Sequence, residues 1–333
     1  MERRKIICVT PVKNEAWILK IFLECVSVWA DHIIIADQNS TDGSVEIARR
    51  FEKVILIENK NSEYNENTRQ KLLINEARKI PGTNNVFFAL DADEILVNFS
   101  NNPEWQKILN AQPGTPVWFP WLNVLPGNDT FYQASPASVF AFIDDGRDHK
   151  GVEMHSLRLP HDRDYPMLIC KDIYLLHFQY AVRERMLSKH RWYESLEKIK
   201  YPSKSNIEIY RVYHHIDLPI KGIQPIVEEW LMAYTKTEID IKNVKDDGLH
   251  WWDKEVCVMF DDYGVEKFKR QAIWYKNWKS IYASYFSGKD SSHIYDPRNL
   301  FDKWVHRWLK RSQSNRFSIH NRVIERILRM INW

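Results

Sequence analysis

Val86-Phe87-Phe88-Ala89-Leu90-Asp91-Ala92-Asp93-Glu94 sets an uncharged apolar run directly against a cluster of carboxylates. A short run of this kind reads as a strand buried on both faces, and the acids mark where it leaves the sheet. The same pattern recurs toward the N-terminus. Ile6-Ile7-Cys8-Val9-Thr10 is a β-rich run ended by Pro11. His32 to Ala36 is a second strand, closed by the polar turn Asp37-Gln38-Asn39-Ser40-Thr41-Asp42-Gly43, and Val54 to Ile57 is a third. Helices fall between them. Ile18, Leu19, Phe22, Leu23, Val26 and Trp29 recur at three- and four-residue intervals from Glu15 to about Trp29. Val45 to Phe51 follows a cap at Thr41 or Asp42, and Thr68 to Lys79 is stopped by Pro81-Gly82.

This alternation predicts a parallel α/β sheet. Ligands of such sheets bind beyond the carboxyl ends of the strands. Those ends carry Thr10-Pro11, Asp37-Gln38 and the Asp91/Asp93 pair. After Trp105 the pattern loosens, with β-like runs at Pro116 to Trp121, Ser138 to Ile143 and Asp172 to Phe178. Helical periodicity dominates from Arg183 to Lys200 and again from Ile226 onward. The expected division is a catalytic domain over 1–225 and a helical extension over 226–333.

Composition removes several classes. With 333 residues, 27% of them charged, 44% hydrophobic and only 10 Gly, the chain folds around a sizeable core. A net charge of +3 does not suggest a nucleic-acid partner, and none is expected. Cys8, Cys25, Cys170 and Cys257 have no zinc spacing and read as reduced, buried thiols. The apolar run after Arg3-Arg4-Lys5 stops at Lys13-Asn14-Glu15, too short for an export signal. No run is long enough to span a bilayer. The expected location is the cytoplasm, including the cytoplasmic face of its membrane.

Asp91 and Asp93, at i and i+2, leave an extended strand end on the same side. They can share one divalent cation, Mg2+ or Mn2+, that keeps open positions for substrate phosphates. D-A-D-E is equally the composition of a solvated, helix-capping turn, and its place after an apolar fourth strand favours the metal. Asp37 can accept from a base N–H or a ribose hydroxyl. The rest of its turn is explained by capping alone. Arg69 can offer its fork of donors to a phosphate, although surface arginines on helices are common.

The strings V-T-P-V-K-N-E-A at Val9 to Ala16, I-I-I-A-D-Q-N-S-T-D-G-S at Ile33 to Ser44 and F-F-A-L-D-A-D-E at Phe87 to Glu94 resemble family 2 glycosyltransferases of the GT-A fold in order and spacing. Gly151 to Ser156, L-L-H-F-Q-Y, Lys189 and Tyr193 resemble the bacterial subgroup that modifies lipopolysaccharide cores. The resemblance implies a mostly parallel central sheet flanked by helices and a nucleotide-diphosphate sugar donor. Thr10, Pro11 and Glu15 then line the nucleotide pocket, Asp37 contacts base or ribose, and Asp91 and Asp93 serve the metal and diphosphate. Arg69 matches an arginine of the family's A-R-N segment, which here reads Thr68-Arg69-Gln70. It also places a histidine near the metal, for which His177 stands better than His155. Two departures are Gln38, where a second acid is usual, and His155-Ser156, where the family has H-E.

The general base therefore has to be sought among the polar residues between Ile143 and Arg163. Asp144, Asp145, Asp148, His149, Glu153, His155, His161, Asp162 and Asp164 are the candidates, most of them ordinary loop charge. Glu153 ranks first because it shares a side of an extended segment with His155, and Asp145 ranks second.

From Lys303 to Trp333, eight cationic residues stand against Glu325 alone, a net +7. Trp304, Val305, Trp308 and Leu309 form one apolar stripe, and Val323, Ile324, Ile327, Leu328 and Ile331 another. Such basic amphipathic helices lie in membrane interfaces, pack on the body with their charges in solvent, or form a self-association surface. Taken together, the expectation is an inverting, metal-dependent glycosyltransferase acting on a glycolipid or cell-surface glycan, with peripheral membrane contact through 303–333. The alternatives are a nucleotidyltransferase that makes a sugar donor and a non-catalytic sugar- or lipid-binding scaffold. The absence of glycine from Thr10-Pro11-Val12-Lys13-Asn14 weighs against the first, and the intact Asp91 and Asp93 against the second.

Overall fold

The computed structural model describes residues 3–60, 64–161, 166–248, 250–331 and 333, without the side chains of 134–136 and 217. The base candidates Asp162 and Asp164 lie outside the described residues. Two compact units form, neither from one continuous stretch: Met1–Val182 with Gly222–Asp247, and Arg183–Lys221 with Gly248–Trp333.

The first unit is built on one mixed sheet. Its strands are β1 (Ile6–Val12), β2 (His32–Asp37), β3 (Val54–Glu58), β4 (Val86–Ala89), β5 (Glu94–Val97), β6 (Pro116–Val124), β7 (Thr130–Ile143), β8 (Leu168–Ile169), β9 (Tyr174–His177) and β10 (Gln224–Pro225). The order is β3-β2-β1-β4-β7-β6-β9-β5, with β8 beside β6 and β10 beside β7. Strands β3, β2, β1 and β4 run parallel, and five of the nine pairings among the described residues are parallel. The expected α/β architecture with a central, mostly parallel sheet and a helical C-terminal region is what the chain adopts.

Helices α1 (Ala16–Trp29), α2 (Ser44–Ala48), α3 (Glu66–Ala77) and α4 (Pro103–Leu109) follow the strands. All six apolar residues that predicted α1 are buried, packed with Cys8, Ile33, Ile35, Val86 and Phe88. On the opposite face, Leu73, Ile74 and Ala77 of α3 meet Ile7, Val9, Ile34 and Phe87. The alternation of partners along β1 and β2 is the period-two signature of a sheet covered on both sides.

Two local expectations are corrected. Strand β1 runs on through Pro11 to Val12, with Pro11 in register with Ala36. Leu90 N–H donates to Val9 O and Gln38 N–H donates to Val12 O. The missing N–H of Pro11 therefore faces the β4 side, where pairing has already ended at Val9↔Ala89, and breaks no ladder bond. Strand β5 was not anticipated: it begins at Glu94 itself and exists because β9 pairs with it, Glu94 opposite His177.

The second unit holds α5 (Arg183–Lys200), with the bounds expected for it, and α6 (Asn206–Tyr213). The short α7 (Met232–Thr235) belongs to the first unit. Helices α8 (Trp251–Tyr263), α9 (Trp278–Tyr285), α10 (Leu300–Ser312) and α11 (Ile319–Met330) complete the second. Arg191 in α5 is almost fully buried and paired with Asp253 in α8 at 2.6 and 2.8 Å. The basic segment is folded, and its two expected stripes are split. Val305, Leu309 and Leu328 are buried with Ile207 and Tyr210, while Trp304, Val323, Ile327 and Ile331 remain exposed. The four cysteines are free and buried, as expected. Among the described residues, no helix is long and apolar enough to cross a membrane.

Candidate active site

The rim at the carboxyl ends of β1 and β2 is held by cross-linked turns. Asn14 N–H donates to Ser40 Oγ at 2.9 Å, Thr41 N–H donates to Asn14 Oδ1 at 2.7 Å, and Ala16 N–H donates to Asp42 Oδ2 at 2.8 Å. Asp42 Oδ1 accepts from Ser44 N–H at the start of α2, but the cap position itself is Gly43, in the left-handed region at φ 95°, so neither Thr41 nor Asp42 is the expected helix cap. Thr10 is fully buried, with its hydroxyl 3.6 Å from Cys8 Sγ. Pro11 is half-buried. Glu15 Oε2 accepts from Trp17 Nε1 at 2.6 Å. Asp37 differs from these. Its Oδ2 accepts from Ser40 N–H at 3.1 Å, while its buried Oδ1 has no hydrogen-bond partner among the described residues. Arg69, on the first turns of α3, likewise buries an Nε without a partner among the described residues, its guanidinium 5.5 Å from the Tyr64 ring centre. One acceptor and one donor thus stand unsatisfied at positions expected to meet a ligand.

Beyond β4 the acids do different jobs. Asp91 accepts from Arg158 Nη2 at 2.7 Å, and Glu94, fully buried, accepts from Nη2 at 3.0 Å and also from Nη1. Glu94 Oε2 closes the turn by accepting from Asp91 N–H at 2.8 Å. Burial pushes the Glu94 carboxyl up to about 7, against the pull of the Arg158 charge. The guanidinium lies 5.2 Å over the ring of Phe140. Glu94 and Arg158 were not singled out from the sequence. The signal available was a third acid directly after the pair and an arginine inside the polar 143–163 stretch.

Asp93 is buried, and its Oδ2 lies 3.7 Å from His177 Nε2. His177 Nδ1 donates to Asn123 Oδ1 at 2.9 Å, and the ring stacks on Trp121 at 4.5 Å. The Asn123 bond places the proton on Nδ1 and turns the Nε2 lone pair toward Asp93. Tyr180 stands edge-on to His177 at 6.0 Å and to Tyr132 at 5.8 Å, and burial raises both phenols, keeping them protonated.

The donor types suit a divalent cation at Asp93 and His177, with a carboxylate oxygen and an imidazole nitrogen converging. Asp91 is committed to Arg158. Among the described residues, no three His, Cys, Asp or Glu side chains form a ready ligand cluster. Magnesium-type sites need only one or two protein ligands when substrate phosphates supply the rest.

Four of the base candidates have distinct surroundings. Asp144 is gripped by Arg78 at 2.8 and 3.2 Å. Asp145 accepts from Arg147 Nε at 2.9 and 3.0 Å. Burial would raise its carboxyl, but the Arg147 bonds outweigh it and hold the group below the usual carboxylate range. Glu153 is exposed, on a loop fastened to the first turns of α3. Glu66 N–H donates to Glu153 O at 2.9 Å, Ser156 N–H to Glu66 Oε2 at 2.7 Å, and Gly151 N–H to Asn67 Oδ1 at 3.1 Å. His149 Nε2 meets Gln70 Oε1 at 2.9 Å, and burial lowers its pKa. Gly151 sits too close for a side chain, since a Cβ there would lie 2.8 Å from His149 Nε2.

No curated protein sequence matches the chain. Among solved structures, a 4-diphosphocytidyl-2C-methyl-D-erythritol synthase aligns with TM-score 0.28 and 11% identity, covering 43% of this chain and 76% of that one. HddC from Yersinia pseudotuberculosis, complexed with GMP-PN, aligns with TM-score 0.33 and 8% identity, covering 54% of this chain and 95% of its own. The segment that carries Pro11, Asp37, Arg69, Asp91 and Asp93, residues 7–95, matches the family model described as Glycosyl transferase family 2.

Proposed function

We propose that the chain is an inverting, metal-dependent glycosyltransferase of GT-A type that moves a sugar from a nucleotide-diphosphate donor to a glycolipid or cell-surface glycan. The convergence of Asp93 and His177 at 3.7 Å, at the rim that also holds the unsatisfied Asp37 oxygen, is the observation that carries this reading. The family 2 match over 7–95 supports it. Asp37 and Asp91 end strands separated by β1 alone, a span of about 10 Å at the usual interstrand spacing. A nucleoside diphosphate can bridge that distance, with its base or ribose at Asp37 and a phosphate near Arg69.

Asp93 and His177 would hold Mn2+ or Mg2+, which supplies positive charge to a departing diphosphate. Asn123 fixes the imidazole that serves as ligand, and Arg158 fixes Asp91 beside it. Glu153 takes the proton from the acceptor hydroxyl. The hydroxyl oxygen bonds to the anomeric carbon from the far face as the carbon–oxygen bond to the nucleoside diphosphate breaks, its electron pair leaving with the phosphate. Asp145 is left out of this step because Arg147 holds it ionised and occupied. The resemblance of 151–156 and of the later segments to enzymes of lipopolysaccharide-core assembly supports a cell-surface glycan as acceptor, which would place the work on the cytoplasmic side of a membrane.

The test is a nucleotide-sugar screen with Mn2+ that measures nucleotide release by the wild type and by Asp93→Ala. Release that depends on Asp93 is expected. Equal release in both overturns the metal assignment, and pyrophosphate release from a sugar phosphate and a nucleoside triphosphate identifies a nucleotidyltransferase instead.

A further inference from the structure

Helices α10 and α11 form an antiparallel hairpin. Trp308 Nε1 donates to Asn321 Oδ1 at 3.2 Å, and Trp333 Nε1 to Asp302 Oδ1 at 2.8 Å. The inner faces are used up in packing, with Val305, Leu309 and Leu328 buried against α6. At about 100° per residue, the rest of each helix divides in the same way. In α10, exposed Leu300, Phe301 and Trp304 lie in one arc and Lys303, Arg307 and Lys310 in the next, with Arg311 between Leu300 and Trp304. In α11, Ile319, Val323, Ile327 and Met330 make the exposed apolar arc, flanked by Arg322, Arg326 and Arg329. Ile319 is 82% exposed and Met330 75%. Single exposed aliphatics are ordinary on a protein surface, but the same apolar-beside-basic pattern repeated on two packed helices is not.

Charge decides what can cover this surface. A second copy would bring Arg322 and Arg326 near their own equivalents across a two-fold interface, which the net +7 of residues 303–333 opposes. Arg329 is already shared between Glu325 at 2.8 Å and Glu208 at 3.1 Å, but the remaining cations of the arc are solvent-exposed. A 12-residue helix is about 18 Å long, too short to cross a bilayer and suited to lying in its plane. We propose that the α10–α11 hairpin docks on an anionic bilayer, its aliphatic arcs in the headgroup–acyl boundary and its arginines and lysines at the lipid phosphates. The surface belongs to the helical unit alone and is testable without a sugar donor, so it stands or falls independently of the transfer reaction.

The full chain is sedimented with phosphatidylcholine vesicles with and without phosphatidylglycerol, at low and raised salt. Wild type is expected to pellet only with phosphatidylglycerol and to be released by salt. Arg322→Gln with Arg326→Gln should lower the partition coefficient roughly 25-fold, at the usual contribution of a basic residue near an anionic surface. Val323→Ser with Ile327→Ser should lower it as well. All four positions face solvent, so the melting temperature of each variant should match wild type and separate lost docking from lost fold. Absence of pelleting by wild type, equal pelleting with phosphatidylcholine alone, or pelleting unchanged in both variants overturns the proposal. So does a dimer in analytical ultracentrifugation that Val323→Ser with Ile327→Ser breaks while vesicle binding is absent.

Discussion

His177 Nε2 faces Asp93 Oδ2 across 3.7 Å, and the pair meets because antiparallel strands β9 and β5 set His177 opposite Glu94, one residue past Asp93. The arrangement depends on Asn123, which orients the imidazole. Asn123→Ala should therefore weaken metal use by about 10- to 100-fold while leaving the ligands in place. The Mn2+ concentration for half-maximal nucleotide release should rise by that factor; an unchanged value would remove Asn123 from the site.

Asp37 keeps one carboxylate oxygen on Ser40 N–H and the other without a partner among the described residues. If a donor hydroxyl or base N–H completes it, Asp37→Ala forfeits a hydrogen bond to a charged group, on the order of 1.5–3 kcal/mol. The expected result is a donor KM raised by about 10- to 100-fold with a smaller change in kcat. A donor KM equal to wild type would show that Asp37 does no more than close its turn.

Glu153→Gln and Asp145→Asn test the base directly. Turnover should fall by about 100-fold or more in the first, with donor binding retained, because the acceptor proton has nowhere to go. Asp145→Asn should retain turnover, since its carboxylate already serves Arg147. The reverse pattern would transfer the role to Asp145.

Arg158 is the counter-charge for a fully buried Glu94. Arg158→Met leaves that carboxylate unpaired and should destabilise the fold by about 3–5 kcal/mol in urea melts. Adding Glu94→Gln should recover much of the loss, because the buried charge is then gone. If the double variant is no more stable than the single, the pair is not the source of the loss.

His190 is buried in the helical unit, with Nδ1 donating to Tyr213 O at 2.9 Å. Burial, aided by the neighbouring His215, lowers its pKa from 6.5 to about 3. The unfolded chain binds a proton below pH 6.5 that the folded chain refuses, so the contribution to stability is full above pH 6.5 and declines as pH falls toward 3. The slope is at most about 1.4 kcal/mol per pH unit. His190→Asn should flatten the acid side of the stability curve relative to wild type, measured by denaturant unfolding at a series of pH values. Parallel curves for the two proteins would contradict this.

Much of the fold was written locally. The apolar period of α1, the charge-free β4 and the turn after β2 each specify an element through contacts a few residues apart. From these the parallel half of the sheet and the rim bearing Asp37, Asp91 and Asp93 follow. The antiparallel half did not follow. Strand β5 has no alternation of its own and forms only where β9 pairs with it. The roles of the acids were divided by residues distant in the chain. Arg158 claims Asp91 and Glu94 from more than sixty positions away, while Asn123 and β9 bring His177 to Asp93. Likewise the tail's apolar residues were visible as stripes, but only packing against Ile207 and Tyr210 decided which of them face inward. Periodicity fixes what a segment can become, because backbone hydrogen bonding and side-chain spacing are local. Which carboxylate is paired, buried or left open depends on the partners that long-range packing brings to it, and those the sequence by itself does not order.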